Sequence, residues 1–110
     1  MTTLSTHVLD VSRGVPVTAV GVTLYRVGRG ERALIAEART DGDGRIAFSG
    51  TPLLQGTYEL VFAVGPYLQG IGAASFYDDI PVRIRIDADN SKHHVPLLLA
   101  PYGYSTYRGS

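Results

Sequence analysis

HVPLLLAPYGYSTYRGS, residues 94–110, decides the fold, because it places two strand-like runs at the very end of a small chain. The apolar run His93–Leu99 and the aromatic run Tyr104–Tyr107 are separated by a proline and a glycine, as two strands joined by a turn would be. Chain ends are usually frayed and polar, whereas the last ten residues contain three tyrosines, two glycines and an arginine. We therefore expect the tail to be a strand within a sheet, with its side chains and terminal carboxylate belonging to a site.

Upstream of this stretch, the chain consists of short β-branched and aromatic runs broken by Gly, Pro and Asp. These runs predict six further strands: Ser5–Val11, Val20–Val27, Ala33–Thr40, Arg45–Ser49, Tyr58–Val64 and Val82–Ile86. The turns between strands are SRGVP (12–16), GRGE (28–31), DGDG (41–44) and DADNS (87–91). Tyr67, Leu68 and Ile71 lie at helical spacing and predict one helix of one to two turns. Eight short strands predict an all-β sandwich of two sheets, formed by a single domain over residues 1–110.

The composition argues against several classes of function. Ten basic and ten acidic residues give a formal net charge of zero, without the clustered positive charge that nucleic-acid binding needs. The longest apolar runs are too short to span a bilayer. With no cysteine there is no disulfide, thiol nucleophile or zinc–thiolate site. The sequence begins without a signal-peptide pattern and ends without a peroxisomal SKL-type motif, so we expect a cytoplasmic protein with no nucleic-acid or membrane partner.

The residues that could carry chemistry are few, and the pattern alone leaves their roles open. His7 lies mid-strand on the same face as Leu9, which fits a structural sheet histidine as well as a functional one. His93 and His94 are adjacent, so in a strand they face opposite sides, and we expect His93 to be a surface or interface residue. The DGDG turn puts Arg45 at the start of a strand, where a solvated arginine is the simplest interpretation.

Metal-binding and catalytic patterns are weak. DGDG resembles the start of a calcium loop, but Arg45 and Pro52 occupy the fifth and twelfth positions, where oxygen ligands are needed. A metal site would have only His7 and His94 as ligands from one chain, so none is expected. Asp78 and Asp79 are adjacent and do not converge as acid–base carboxylates must. Neither a G-x-S-x-G elbow nor a phosphate-binding glycine loop is present. The patterns therefore predict a β-sandwich without a particular function.

Three stretches together resemble a known family: LSTHVLDVSRGVP (4–16), DGDGR (41–45) and HVPLLLAPYGYSTYRGS (94–110). They are similar to the transthyretin-related family, in its 5-hydroxyisourate hydrolase branch, over essentially the whole chain. The Tyr-Arg-Gly-Ser ending is the most specific element, since transthyretin itself lacks it. The resemblance implies a transthyretin-like sandwich of two four-stranded sheets, with one short helix between strands five and six. It also implies a homotetramer, a dimer of dimers with its sites in the dimer–dimer channel.

The resemblance further implies an activity and the residues that carry it. The reaction is the hydrolysis of 5-hydroxyisourate to 2-oxo-4-hydroxy-4-carboxy-5-ureidoimidazoline, without metal or cofactor, between urate oxidation and allantoin formation. His7, Arg45 and His94 match the family's catalytic residues, and Tyr107 and Ser110 join them in binding the substrate. Transthyretin, the hormone carrier, has lysine, glutamate and threonine at the three catalytic positions and threonine at that of Tyr107. The alternatives are a transthyretin-like carrier of a small aromatic ligand without turnover, and a non-catalytic interaction module.

In the family fold, the strands carrying the matched residues belong to one sheet, so the resemblance places those side chains together on its channel face. This chain departs from the family at few positions. Many members have tyrosine at the position of His93, and serine is common at the position of Ala100. The segment FYDDIP (76–81) also differs from the usual sequence of the family. None of these is a matched site residue. His93 is adjacent to His94, however, and a neighbouring imidazole can alter the pKa of His94.

Overall fold

A computed structural model describes residues 2–50, 52–87 and 91–109, which form two β-sheets and one short helix. The elements in chain order are β1 (Thr3–Asp10), β2 (Val15–Pro16), β3 (Gly21–Val27), β4 (Arg32–Arg39), β5 (Arg45–Phe48), β6 (Gly56–Ala63), α1 (Gly65–Gly70), β7 (Asp79–Ile86), β8 (Lys92–Ala100) and β9 (Gly103–Thr106). The predicted all-β sandwich is confirmed, with its helix between the fifth and sixth of the eight predicted strands.

The first sheet carries the candidate site. Its order is β2–β1–β8–β9, and β5 also pairs with β1, so β5 and β2 share one edge of that strand. The β1–β8 pair is parallel and the others are antiparallel. The sheet has five strands where four were predicted, because Val15–Pro16, expected only as part of a turn, pairs with Leu9 and Asp10.

The second sheet is antiparallel, with the order β4–β3–β6–β7. Its last strand begins at Asp79, three residues before the predicted start at Val82. Pro81 lies within this longer strand, although proline cannot donate to a sheet ladder. It is tolerated here because β7 is an edge strand that pairs with β6 alone.

The core lies between the two sheets and follows from the alternation of side chains along each strand. In β1 the even-numbered residues are buried, and the odd-numbered ones after Thr3 are half-buried on the outer face. In β8, Val95, Leu97 and Leu99 are buried as predicted. β8 follows the same alternation except at Pro96, which is buried, so the outer face of the first sheet can display polar side chains at the other positions.

His93 corrects a prediction, because it is a core residue and not a surface residue. Its exposed fraction is only 6%. The alternation of β8 sets it on the same side as Val95, and its Nε2 lies 2.8 Å from Ser91 Oγ. Burial lowers the pKa of His93, and the charge of Arg108 lowers it further, against an opposing effect of Asp87. A buried neutral imidazole with a hydroxyl partner is compatible with the core.

The helix α1 attaches to the first sheet through one buried carboxylate. Leu68 packs into the core, while the Tyr67 hydroxyl donates to Asp10 Oδ2 at 2.6 Å. Ile71 follows the helix and is exposed, so of the three residues at helical spacing only Leu68 is fully buried. Within the part of the chain that the structure describes, no helix is long and apolar enough to cross a membrane.

Candidate active site

The DGDG turn positions Arg45 with several backbone hydrogen bonds. Asp41 Oδ1 accepts the N–H groups of Asp43 and Arg45, each at 2.9 Å. Gly44 has φ of 75°, a left-handed conformation that favours glycine. A Cβ at Gly44 would lie 2.6 Å from the carbonyl oxygen of Val8. The backbone N–H of Val8 also donates to the carbonyl oxygen of Gly44 at 2.8 Å. The turn is therefore held against β1, and β5 starts at Arg45, as predicted.

Strand pairing then brings His7, Arg45 and His94 onto one face. In the register of β1 with β5, His7 is directly opposite Arg45, and Ser5 is opposite Ala47. In the register of β1 with β8, Ser5 is beside His94 and His7 is beside Pro96. His7 and Arg45 thus share one row across the sheet, and His94 lies in the adjoining row. Residues separated by up to 87 positions in the chain become neighbours.

Arg45 lies between two depressions on this face. One has a volume of about 470 Å³, and its lining includes Ser5, Asp41, Lys92 and His94 as well as Arg45. The other, of about 580 Å³, is lined by His7, Leu9, Pro16, Asp43 and Arg45. An arginine shared by both depressions can bind one planar, electron-rich molecule that spans them.

His94 is held by two neighbours and is kept neutral by its surroundings. Its Nδ1 is 2.7 Å from Ser5 Oγ, and its carbonyl oxygen accepts the N–H of Gly109 at 2.7 Å. Burial lowers the pKa of His94, and the charges of His7 and Arg45 lower it further. His93 is not among the causes of this shift, although it is the neighbour of His94 in the chain.

Asp41 is the acidic group of the site. The pKa of Asp41 is lowered first by the hydrogen bond from the Arg45 backbone N–H, which acts against an opposing effect of burial. The Asp43 N–H and the charges of Arg45 and His7 add to the lowering. Asp41 is exposed and ionised, so it sets a carboxylate beside the guanidinium of Arg45 and the imidazoles of His7 and His94.

The structure places Tyr107 apart from these groups. It follows the last residue of β9, is 56% exposed and lines a separate depression of about 330 Å³ together with β7 and His93.

Pro96 explains why the predicted strand Tyr104–Tyr107 ends early. The β8–β9 ladder runs as far as Leu97–Thr106, and the next pair would need an N–H that proline lacks. Pairing resumes at His94–Gly109. Ser110 lies outside the described residues.

Two residues at this site, Ser5 and Gly109, were not among the sequence candidates. Ser5 had a detectable signal, because the period of two places it on the face of His7. Gly109 had a weaker one, its position inside the Tyr-Arg-Gly-Ser ending. Neither signal pointed to His94, because both contacts depend on pairing between distant parts of the chain. Among the described residues, no group of three His, Cys, Asp or Glu side chains could hold a metal ion.

Known proteins share both this sequence and this fold. A family model described as HIUase/Transthyretin family matches residues 4–109. A 5-hydroxyisourate hydrolase of Mesorhizobium japonicum is 43% identical over 114 residues, covering 97% of this chain and 91% of that relative. The structure of Klebsiella pneumoniae 5-hydroxyisourate hydrolase has a TM-score of 0.87 at 40% identity and covers 100% of both chains.

A second structural neighbour shares the fold at much lower identity. Sea bream transthyretin in complex with thyroxine has a TM-score of 0.87 at 23% identity, and the match covers 96% of this chain and 93% of the other. At that identity the likeness speaks for the fold alone. The family model, the full-length relative and the shared sandwich agree, and the chain belongs to the HIUase/Transthyretin family.

Proposed function

We propose that this protein hydrolyses 5-hydroxyisourate to 2-oxo-4-hydroxy-4-carboxy-5-ureidoimidazoline, with His7, Arg45 and His94 as its catalytic residues. The observation that carries the proposal is the pairing of His7 opposite Arg45 with His94 in the next row, on an accessible face. The similarity to proteins named 5-hydroxyisourate hydrolase, at 40–43% identity over nearly the whole chain, supports the same activity.

The chemistry requires a base, a cation and a proton donor. One imidazole takes a proton from water as the water oxygen bonds to a ring carbonyl carbon of the substrate. Arg45 binds the planar substrate and stabilises the oxyanion that forms on that carbonyl. The carbon–nitrogen bond then breaks, the departing ring nitrogen receives a proton, and a carboxylate is released. His7 and His94 supply the proton transfer and the hydrogen-bond donor.

We also propose that Tyr107 and Ser110 contribute to substrate binding. Support comes from the tail, whose Gly109 pairs with His94 at the edge of the site. Among the described residues, no hydrogen bond or ring contact joins Tyr107 to the three catalytic residues, so its part in binding requires the substrate or a neighbouring subunit.

We propose that the protein works as a homotetramer, a dimer of dimers whose sites face a channel. The outer face of the first sheet has an apolar row beside the catalytic row. Its members lie side by side in the strand registers: Pro16, Leu9 and Leu98. Burying such a row against a second copy removes apolar surface from water and encloses the site.

The activity is tested by generating 5-hydroxyisourate from urate with urate oxidase and following its decay optically. We expect the protein to accelerate the decay above the spontaneous rate. His7→Ala and Arg45→Ala should each lower kcat/KM by about 100-fold or more, since each removes a group that acts on the transition state. Arg29→Ala, an exposed arginine in the β3–β4 turn, is the matched control and should keep full activity.

The outcomes separate the two main candidates. Acceleration that is lost in both variants and kept in the control supports the hydrolase and its site. A folded protein that binds an aromatic ligand without accelerating the decay would instead be a carrier. Acceleration that survives both substitutions would place the reaction elsewhere on the molecule.

A further inference from the structure

The imidazole of His94 is held at both of its edges. On one side, Ser5 Oγ lies 2.7 Å from Nδ1, across the parallel pairing of β1 with β8. On the other side, the tail returns to β8, and the Gly109 N–H donates to the His94 carbonyl oxygen at 2.7 Å. His94 therefore has contacts to two segments from opposite ends of the chain, one through its ring and one through its backbone.

Gly109 contacts the ring so closely that no other residue type fits without movement. A Cβ at position 109 would lie 2.6 Å from His94 Cδ2 and 3.3 Å from its Cγ. Real Cβ atoms essentially never approach other heavy atoms at 2.6 Å, so either the imidazole or the tail would have to shift. The absent side chain at position 109 is thus what allows the Cδ2 edge of the ring to rest against the tail.

The two contacts together select one ring orientation. Turning the imidazole by 180° would take Nδ1 away from Ser5 and place a carbon against the hydroxyl. In the observed orientation Nδ1 is engaged, and no described residue hydrogen bonds to Nε2. Nε2 is therefore the ring nitrogen left to meet a substrate on the open face.

The hydrogen bond to Ser5 ties the tautomer of His94 to one hydroxyl. The Ser5 hydroxyl either donates to an unprotonated Nδ1 or accepts from an Nδ1–H, and the proposal below takes the first arrangement. A neutral imidazole that accepts at Nδ1 carries its single proton on Nε2. The charged and titratable groups around the ring are His7 on β1, Arg45 on β5, Lys92 on β8 and Asp41 in the turn before β5.

We propose that Ser5 and Gly109 are positioning residues that hold His94 in one orientation with its proton on Nε2. This proposal rests on the proposed function where it concerns the substrate. Nε2–H then donates a hydrogen bond to the substrate carbonyl oxygen beside Arg45, and it stays on the ring throughout. His7 is left as the imidazole that accepts the proton from water and returns it to the departing ring nitrogen.

The tautomer is tested without substrate, by long-range ¹H–¹⁵N NMR spectra of the histidine rings at neutral pH. We expect a single Nε2–H form for His94 in the wild type and exchange between two tautomers in Ser5→Ala. Ser5→Thr keeps a hydroxyl and should restore the single form. An Nδ1–H form in the wild type, or an unchanged spectrum in Ser5→Ala, would overturn the proposal.

The functional role is tested by kinetics on the same variants. Ser5→Ala and Gly109→Ala should lower kcat by about tenfold to a hundredfold with less effect on KM, because misplacing a catalytic group mainly affects the transition state. Gly103→Ala in β9, where a Cβ meets nothing within 4 Å, is the matched control and should stay near wild type. Full kcat in Ser5→Ala and Gly109→Ala would refute the positioning role. A wild type without hydrolase activity would refute the proposed function instead. The NMR spectra would still test the orientation and tautomer of the His94 ring.

Discussion

The electrostatics of the site are decided by single residues. His94 has a lowered pKa because burial penalises its charged form, and because His7 and Arg45 bring positive charge near it. The lowered pKa favours the neutral form of His94 at neutral pH. A neutral His94 can accept or donate a hydrogen bond without adding charge to a site that already contains a guanidinium.

Replacing Arg45 tests this electrostatic coupling. Arg45→Gln removes one of the causes that lower the pKa of His94, so that pKa should rise toward its ordinary value. An NMR titration of the His94 ring protons measures the change directly. Arg29→Gln alters the same net charge at a distance and should leave the titration of His94 unmoved. A pKa of His94 that does not rise in Arg45→Gln would show that burial and His7 lower it without a contribution from Arg45.

At the scale of elements, one buried carboxylate joins α1 to the end of β1. Asp10 is 2% exposed and accepts hydrogen bonds from the Tyr67 hydroxyl at 2.6 Å and the Ser12 hydroxyl at 2.7 Å. The backbone N–H groups of Ser12 and Arg13 donate to the same side chain. Burial acts to raise the pKa of Asp10, but these hydrogen bonds outweigh it and the net shift is downward.

Tyr67→Phe should therefore destabilise the fold in a pH-dependent way. Because the pKa of Asp10 is lower in the folded state, its contribution to stability is present above the unfolded value, about 3.9, and is lost as the pH falls. Removing a hydrogen bond to this carboxylate should cost about 1–3 kcal/mol at pH 7, and the difference should narrow toward pH 3.

Urea unfolding of wild type and Tyr67→Phe at the two pH values measures both effects. Tyr102→Phe is the control, since the exposed Tyr102 hydroxyl forms no hydrogen bond with the described residues. Equal stability of Tyr67→Phe and wild type at pH 7 would mean that the helix is held by the packing of Leu68 alone.

For the whole molecule, the proposed tetramer predicts different effects of acidic substitutions on the two sheets. Leu98 lies in the apolar row beside the catalytic residues, whereas Leu34 is 58% exposed on β4 of the other sheet. Leu98→Glu should shift the protein from a tetramer to smaller species, because a carboxylate would be buried at the interface. Leu34→Glu should leave the assembly intact.

Sedimentation velocity measures the assembly, and circular dichroism checks that both variants remain folded. If Leu98→Glu sediments as wild type does, the outer face of the first sheet is not the tetramer interface. If Leu34→Glu alone dissociates the protein, the second sheet forms the interface instead.

Much of the fold was predictable from local signals. Strand runs, the DGDG turn and the short helix follow from alternation, turn residues and helical spacing, which act over a few positions. The errors were also local: Val15–Pro16 joined the first sheet, and β7 begins at Asp79, three residues before the predicted Val82. The family, and with it His7, Arg45 and His94 as candidates, followed from motifs read directly in the sequence.

Only the tertiary structure decided which of these residues meet. The position of His7 opposite Arg45, the approach of Ser5 and Gly109 to His94, and the burial of His93 all depend on strand registers between distant segments. A register that joins residue 5 to residue 94 is selected by the burial of one whole face of a strand, because a slip by one residue would turn every side chain over. Local preferences determine which segments become strands, and long-range packing determines which side chains share a site.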